Sequence, residues 1–246
     1  MAFWVKVIKA SLAGLLALSA CYIAVLCHPQ PLFAYKYSAA NISLYCDEPI
    51  PLTPAAAVLS DVQARLEPCP FYRDHPARNA FICDNAWRYR LFFAPQPKSG
   101  GLAYGFPPWN VFLRKSDISR NVLFRADGVT PSGPDRPLSY FIAHEITHTL
   151  TARFLGPWAY WRLPAWKNEG YSDYVGKNGR FDFQKNLGLF RKGDPALDPG
   201  KSGLYLRYHL LVAELLDHRK MTPEELLKGD FDRSKLEAEL RAGRTP

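Results

Sequence analysis

The longest uninterrupted apolar stretch of the chain lies near its start. Residues 10–27 carry no charge, and Lys6 and Lys9 precede them. As a helix, these 18 residues span about 27 Å, which is close to the thickness of a bilayer core. Positive charge before such a run predicts a cytoplasmic N-terminus, with the rest of the chain outside. We therefore expect residues 1–28 to be a membrane or export segment.

Three interpretations of this segment remain open. A signal anchor is favoured, because the apolar run continues past any cleavage point. A cleaved signal peptide is the second, since residues 18–20 are small and lie near a plausible junction. The third is lipidation of Cys21, because residues 18–21 resemble a lipobox, although residues 22–26 stay apolar. All three predict a membrane-anchored or secreted protein with its folded part outside the cytoplasm.

After this segment the pattern of apolar positions predicts one α+β domain. Residues 29–53 are rich in proline, alanine and tyrosine and suggest a linker or an extended lead-in, so the domain is expected over 54–246. Helically spaced apolar residues after Thr53 and Pro54 predict a first helix. Short apolar runs then predict a small, mostly antiparallel sheet with strands at 80–83, 89–93, 110–113 and 121–124.

A second helix is predicted by apolar residues at 138, 141, 142, 146, 150 and 154, whose spacing is that of an amphipathic helix of about five turns. Asp135 or Ser139 can cap its start, and Gly156 followed by Pro157 ends it. The helix contains the stretch H-E-x-x-H at residues 144–148.

This stretch has the spacing of a metal-dependent hydrolase. His144 and His148 lie one helical turn apart on the same face, so both imidazoles can reach one metal ion. Glu145 can reach a water molecule on that metal without being a ligand, which makes it a candidate general base. The alternative is a surface helix with two solvated histidines.

A catalytic zinc ion needs a third protein ligand, and the segment after the helix offers one. Glu169 follows His148 after enough residues for a loop and a returning helix, and Asp173 lies one turn further on the same face. A carboxylate that accepts the free N–H of a ligand histidine fixes its tautomer. We expect Glu169 as the ligand and Asp173 as the orienting group; a solvated acidic face is the alternative.

The motif H-E-x-x-H followed by W-x-x-E-G-Y-x-D-Y resembles the gluzincin metallopeptidases, and is most similar to small peptidase-MA-like domains of exported proteins. The resemblance covers about residues 137–230 and is strongest over 144–174. It implies that His144, His148 and Glu169 bind zinc and that Glu145 is the base. It also implies that Asp173 hydrogen-bonds to one of the zinc-binding histidines, with His144 the favoured partner. It also implies a zincin-like fold, in which 110–113 is a candidate edge strand beside the substrate; an ordinary core strand is the alternative.

The resemblance extends to a later helix. Gluzincins use a tyrosine or histidine donor there to stabilise the oxyanion. Tyr205, Tyr208 and His209 share a helical face. Tyr205 matches the family position best, with His209 as a possible helper. An aromatic packing patch is the alternative interpretation.

Cysteine content and charge refine this picture. Cys27, Cys46, Cys69 and Cys83 would enter an oxidising compartment and could form two disulfides, with Cys69 and Cys83 the favoured pair; free buried cysteines are the alternative. The net charge of +8 comes from scattered basic residues, so no nucleic-acid partner is expected.

The expected function is therefore zinc-dependent hydrolysis of peptide bonds in a peptide or protein substrate outside the cytoplasm. Two other classes compete with it. One is a membrane-anchored zinc-binding, maturation or scaffold protein on a peptidase-like fold without general proteolytic activity. The other is a metal-free structural ectodomain.

Overall fold

The computed structural model describes residues 2–39, 41–74 and 76–243, and within these ranges it confirms an α+β protein. The α-helices are α1 (Ala2–Cys27), α2 (Leu52–Leu66), α3 (Ala86–Phe92), α4 (Leu138–Leu155), α5 (Pro157–Trp161), α6 (Ala165–Lys177), α7 (Phe183–Lys192), α8 (Pro199–Ser202), α9 (Leu206–Ala213), α10 (Pro223–Lys228) and α11 (Arg233–Arg241). The strands are β1 (Tyr35–Ala39), β2 (Ile42–Cys46), β3 (Arg78–Cys83), β4 (Gly101–Ala103), β5 (Val111–Arg114), β6 (Ser116–Asp117) and β7 (Val122–Leu123).

The main sheet is mixed, so the expectation of a mostly antiparallel sheet was wrong. Its strand order is β1-β2-β3-β5-β4. The outer pairs β1–β2 and β4–β5 are antiparallel, whereas β2–β3 and β3–β5 are parallel. Parallel neighbours need a crossover connection. The chain provides one each time, with α2 between β2 and β3 and with α3 between β3 and β5.

Residues 29–53, expected to be a linker or lead-in, form the first two strands of this sheet. In β2, the alternate residues Ile42, Leu44 and Cys46 are buried while those between them are partly exposed. This is the period-2 pattern of a strand with one face on the core. The proline and alanine content of the surrounding segment obscured that pattern in the sequence.

Residues 89–93, predicted as a strand from their aromatic and apolar content, lie in and just after helix α3. The helix brings Tyr89 and Phe93 together at i and i+4, with ring centroids 4.6 Å apart. Tertiary packing thus overrides the β-propensity of these residues.

The candidate edge strand at 110–113 corresponds to β5, which is internal to the sheet. All four residues of β5 are buried between β3 and β4. In the described part of the chain, β4 pairs with β5 alone and is therefore an edge of the sheet.

The two faces of the sheet pack against different parts of the chain. One face packs with α2 and α4 in the larger core cluster, which contains Leu44, Ile82 and Leu113. The other face carries an aromatic cluster in which Phe112 stacks on Phe81 and Phe92 with centroids 5.3 and 4.4 Å away.

Helix α1 is apolar and mostly exposed, and only its last turns contact the domain. The Tyr22 hydroxyl donates to the Leu91 carbonyl at 2.9 Å, and Asn110 Nδ2 donates to the Leu26 carbonyl at 2.9 Å. Among the described residues, Phe3–Cys27 is the one helix long and apolar enough to cross a membrane; a signal sequence meets the same criterion. An N-terminal apolar helix is thus confirmed, and its orientation and processing remain predictions.

The predicted disulfides are not formed: all five cysteines, which lie in the described part of the chain, are free thiols. Cys69 and Cys83 belong to different core clusters on opposite faces of the sheet. Cys69 Sγ lies 3.4 Å from the Tyr171 hydroxyl. Cys46 Sγ donates to the Asp84 carboxylate at 3.1 Å.

Helix α4 is buried on all sides rather than amphipathic. Every residue from Leu138 to Ala152 is buried, because α2, α6 and the strands β4 and β5 surround it. Neither predicted capping residue caps it, since the N-cap is Pro137 and the Ser139 hydroxyl instead donates to Asp61 at 2.6 Å. The helix ends as predicted at Gly156, whose φ of 78° suits glycine.

Candidate metal centre

Three side chains from α4 and α6 bring one ligand atom each to a common point. The Nε2 atoms of His144 and His148 are 3.1 Å apart. Oε2 of Glu169 lies 3.3 Å from Nε2 of His144 and 3.6 Å from Nε2 of His148. The three residues predicted as ligands are therefore assembled as a group that could hold a metal ion.

These separations fit a small tetrahedral ion. Ligand atoms that lie about 2.0–2.1 Å from a zinc ion in tetrahedral geometry are about 3.3–3.4 Å from each other. The three observed distances, 3.1, 3.3 and 3.6 Å, bracket that value. Three protein ligands leave the fourth tetrahedral position free for water or substrate.

Glycines let the helices that carry the ligands approach closely. A Cβ added to Gly176 of α6 would lie 3.0 Å from the Tyr140 ring and 3.4 Å from the Cβ of His144. A Cβ on Gly170, next to Glu169, would lie 2.7 Å from the Tyr208 carbonyl oxygen near the start of α9. Both positions are closed to larger side chains unless the helices move apart.

The predicted direct hydrogen bond between Asp173 and His144 is not formed. His144 is instead oriented through Tyr140, which lies one turn earlier in α4. The Tyr140 hydroxyl donates to Asp173 Oδ1 at 2.5 Å and lies 3.5 Å from Nδ1 of His144. Because its one proton goes to the carboxylate, the hydroxyl oxygen can only accept from Nδ1–H of His144. That tautomer leaves a lone pair on Nε2 of His144 for a metal.

Asp173 is ionised and fully engaged behind the candidate ligands. Burial alone would raise the pKa of this carboxyl, but the bond from His209 and the charge of Lys177 more than offset it, so its pKa lies well below the usual range. Oδ2 of Asp173 is 2.8 Å from Nδ1 of His209 and 3.2 Å from Nζ of Lys177.

His148 is oriented by polar side chains of α6. Its Nδ1 lies 3.0 Å from Oδ1 of Asn168 and 3.1 Å from Oγ of Ser172. The amide oxygen of Asn168 accepts the Nδ1 proton, which again leaves Nε2 free to bind a metal. The two histidines thus receive the same tautomer from different partners.

His209 is behind the site and not in it, which corrects its predicted role as an oxyanion donor. It is 2% exposed, it donates to Asp173, and its ring stacks on Phe181 with centroids 3.7 Å apart. Burial lowers the pKa of His209, which favours the neutral ring. It is not among the described residues that line the cleft.

Tyr205 does line the cleft, as its predicted role requires. It immediately precedes α9, and its ring is parallel to that of His144 with centroids 5.8 Å apart. Burial, with the nearby Glu169 and Glu145, raises the pKa of Tyr205 well above its ordinary value. Its hydroxyl therefore keeps its proton and can donate a hydrogen bond.

Glu145 is buried beside the ligands and faces strand β4. Burial raises the pKa of its carboxyl, although the two histidines partly offset this. A Cβ added to Gly101 of β4 would lie 2.7 Å from Cδ of Glu145. The carboxylate thus has its position only because residue 101 has no side chain.

The three candidate ligands, Glu145 and Tyr205 line one continuous cleft of about 620 Å³. The edge strand β4 forms one side of it, together with Gln96 and residues 98–100 before the strand.

The chain matches no family model, no curated protein and no solved structure. The arrangement itself therefore carries the functional argument. It offers three converging atoms that could bind a metal ion, a buried carboxylate outside that group, and a phenol, all on one cleft.

Sequence reasoning missed the residues that orient this group. Tyr140 is one turn before His144, and Asn168 and Ser172 flank Glu169, so helical spacing offered a weak signal for all three. Gly101 lies in a glycine- and proline-rich segment, and its sequence carries no sign that it will meet Glu145.

Proposed function

We propose that this chain is a zinc-dependent metallopeptidase of the gluzincin type, with a zincin-like fold. The observation that carries the proposal is the convergence of His144, His148 and Glu169 on one cleft, with the buried Glu145 carboxylate beside them. Two imidazoles and one carboxylate, with one position left open, are the protein ligands of a known type of catalytic zinc site.

When bound, zinc supplies Lewis acidity toward water and toward the carbonyl of the scissile peptide bond. Glu145 is free to act as the base, because its carboxylate is not needed as a ligand. It takes a proton from the attacking water, whose oxygen bonds to the carbonyl carbon, and gives that proton to the nitrogen that leaves as the amine. Its raised pKa favours the protonated form through which the proton passes.

An extended peptide would bind along the free edge of β4, since such an edge presents unpaired backbone groups. Gly101 then brings the peptide backbone and the Glu145 carboxylate close together. Tyr205 donates a hydrogen bond to the oxygen of the reacting carbonyl as its negative charge develops.

The exposed apolar helix α1 supports a location at the outer face of a membrane, with the cleft outside the cytoplasm. Lys6 and Lys9 before the apolar run favour that orientation. The protein would then act on peptides or proteins in the extracytoplasmic space.

The proposal is tested by peptide hydrolysis with the full chain in detergent, loaded with zinc. We expect the wild type to cleave members of a quenched fluorescent peptide library. Glu145→Gln should retain zinc but lose about 10³-fold in kcat/KM, because the proton acceptor is removed. Turnover within tenfold of the wild type in that variant would contradict the role of Glu145. A zinc-loaded wild type that cleaves no library member would contradict the peptidase proposal.

A further inference from the structure

A set of basic side chains lines the cleft beside the metal ligands. Lys98, Arg125 and Arg136, which we call the basic rim, all line the cleft that contains Glu145. Within the described ranges, none of the three side chains has an ion pair or a side-chain hydrogen bond. By contrast, the fourth basic lining residue, Arg114, donates to the backbone carbonyls of Ser99 and Lys98.

Arg136 is the member of the rim that packs on aromatic rings of α4. Its guanidinium carbon lies 5.1 Å from the ring centroid of Phe141 and 5.9 Å from that of Tyr140, both residues of α4. Its Nε is buried and has no hydrogen-bond partner in the described structure. A buried donor on a fixed cation, without a partner, is suited to an incoming anion.

The charges of the metal site do not neutralise the rim. Glu145 and Glu169 line the same cleft, but a divalent cation at the site would balance both carboxylates. Asp135 is then the one acidic side chain that faces four basic ones among the described lining residues. The cleft is consequently positive at the end where the rim lies.

The contacts of β4 and its flanking residues with α4 show at which end of the cleft the basic rim lies. A Cβ on Gly100 would touch Phe141, one on Gly101 would touch Glu145, and one on Gly105 would lie 3.7 Å from Ala152. Residues 100–105 therefore follow α4 from its N-terminal toward its C-terminal half. The rim lies near the N-terminal end, since Arg136 precedes α4 and Lys98 precedes β4.

Antiparallel pairing is slightly more stable than parallel pairing. A peptide antiparallel to β4 runs from the Gly105 end toward the Gly100 end, so the part that is C-terminal to the scissile bond reaches the rim. From this placement, and resting on the proposed function, we propose that the basic rim binds a carboxylate of the substrate on the C-terminal side of the scissile bond. Arg136 is the specificity-determining residue.

Two sources can supply that carboxylate, an aspartate or glutamate side chain and a free C-terminus. The test starts from one cleavable peptide. Glu or Gln is placed in turn at each of three positions on either side of the scissile bond. Every peptide of this set is made with a free C-terminal carboxylate and with a C-terminal amide. Hydrolysis is measured for the wild type, Arg136→Gln and Arg136→Lys. Arg90→Gln is the matched control, since Arg90 is an exposed residue of α3 that does not line the cleft.

In the wild type, we expect kcat/KM to rise about tenfold when Glu replaces Gln on the C-terminal side of the scissile bond, or when a free carboxylate replaces the terminal amide. Arg136→Gln should abolish this gain, so that acidic and neutral peptides are cleaved with equal kcat/KM. Arg136→Lys should keep part of the gain, and Arg90→Gln should keep all of it. A gain from Glu alone identifies the side chain, and a gain from the acid terminus alone identifies the C-terminus.

A binding measurement separates failure of this inference from failure of the proposed function. Zinc-loaded Glu145→Gln should turn over too slowly to disturb a binding measurement, and fluorescence anisotropy gives its affinity for the same peptides. We expect the acidic peptides to bind about tenfold tighter than the neutral ones, with the difference lost on adding Arg136→Gln. Equal affinities for acidic and neutral peptides would overturn the inference, whether or not the wild type hydrolyses any peptide.

Discussion

On one side of the cleft, Nδ1 of His144 and Nδ1 of His148 each have a hydrogen-bonding partner. On the rim side, the side chains of Lys98, Arg125 and Arg136 have no hydrogen bond or ion pair within the part of the chain that the structure describes. The metal side is built from two buried helices. The rim is built from segments that flank β4 and precede α4, and Lys98 and Arg125 are exposed.

This difference separates two tasks. Groups that must keep one geometry are held by neighbours that use up their hydrogen-bonding capacity, as Asp173 is by Tyr140, His209 and Lys177. Groups that bind an incoming ligand keep a hydrogen-bond donor without a partner, as Nε of Arg136 does within the described structure. Substitutions on the metal side should therefore change metal binding or turnover for every substrate, and those on the rim should change the choice of substrate.

The largest effect is expected at the ligand that comes from α6. Glu169→Ala removes one of three ligands, so we expect zinc content after dialysis to fall to background. Glu239→Ala, a partly exposed glutamate that pairs with Arg219 at 2.8 Å, should retain one zinc per chain. Tight stoichiometric zinc in folded Glu169→Ala would rule out its role as a ligand.

The next largest effect is expected at Gly101. A methyl group there displaces the Glu145 carboxylate, so Gly101→Ala should lower kcat about 100-fold while zinc content stays unchanged. Gly188→Ala is the matched control, because no described atom lies within 4 Å of a Cβ at that position of α7. If Gly101→Ala were as active as Gly188→Ala, the contact with Glu145 would not matter for turnover.

A smaller effect is expected at the group that orients His144. Tyr140→Phe removes the hydroxyl between Asp173 and His144. We expect the Kd for zinc, measured by chelator competition, to rise about 10- to 100-fold. The same change at Tyr205 should lower kcat, because it removes the donor to the reacting carbonyl. Identical zinc affinity in Tyr140→Phe and the wild type would show that Tyr140 does not support the ligand.

The smallest effect concerns the contact that holds the start of α4. Asp61 accepts bonds from Ser139 and Arg65. Burial would raise the pKa of Asp61, but these bonds more than offset it, and the pKa is lowered. Its ionised form therefore adds stability above its unfolded pKa of about 4, and this is lost as the pH falls through the lower folded pKa.

The corresponding measurement is the unfolding free energy of Asp61→Asn and the wild type at several pH values. We expect the wild type to be more stable at pH 6 by about 1 kcal/mol or less, because the carboxylate is partly exposed. The difference should shrink as the medium becomes acidic. A difference that is independent of pH would mean that the charge of Asp61 contributes nothing.

The features that sequence reasoning predicted are those that depend on local spacing. The i, i+4 relation of His144 and His148 follows from helix geometry alone, and the end of α4 follows from Gly156. The position of Glu169 beside the two histidines was also predicted, because the spacing after His148 is enough for a loop and a returning helix.

The features that were missed depend on which elements become neighbours. Tyr140 reaches Asp173 only because α6 packs on α4 at Gly176. The parallel strand pairs depend on crossover connections. Helix α3 forms in an aromatic segment whose residues have strand propensity. Cys69 and Cys83 lie in different core clusters, a separation that their spacing in the sequence does not reveal.

The central claim is that His144, His148 and Glu169 hold one metal ion, and elemental analysis of the purified full chain after dialysis tests it most directly. We expect about one zinc per chain. A protein that is folded by circular dichroism, contains no zinc, and does not take up added zinc would contradict it. The converging side chains would then be a packing feature of α4 and α6.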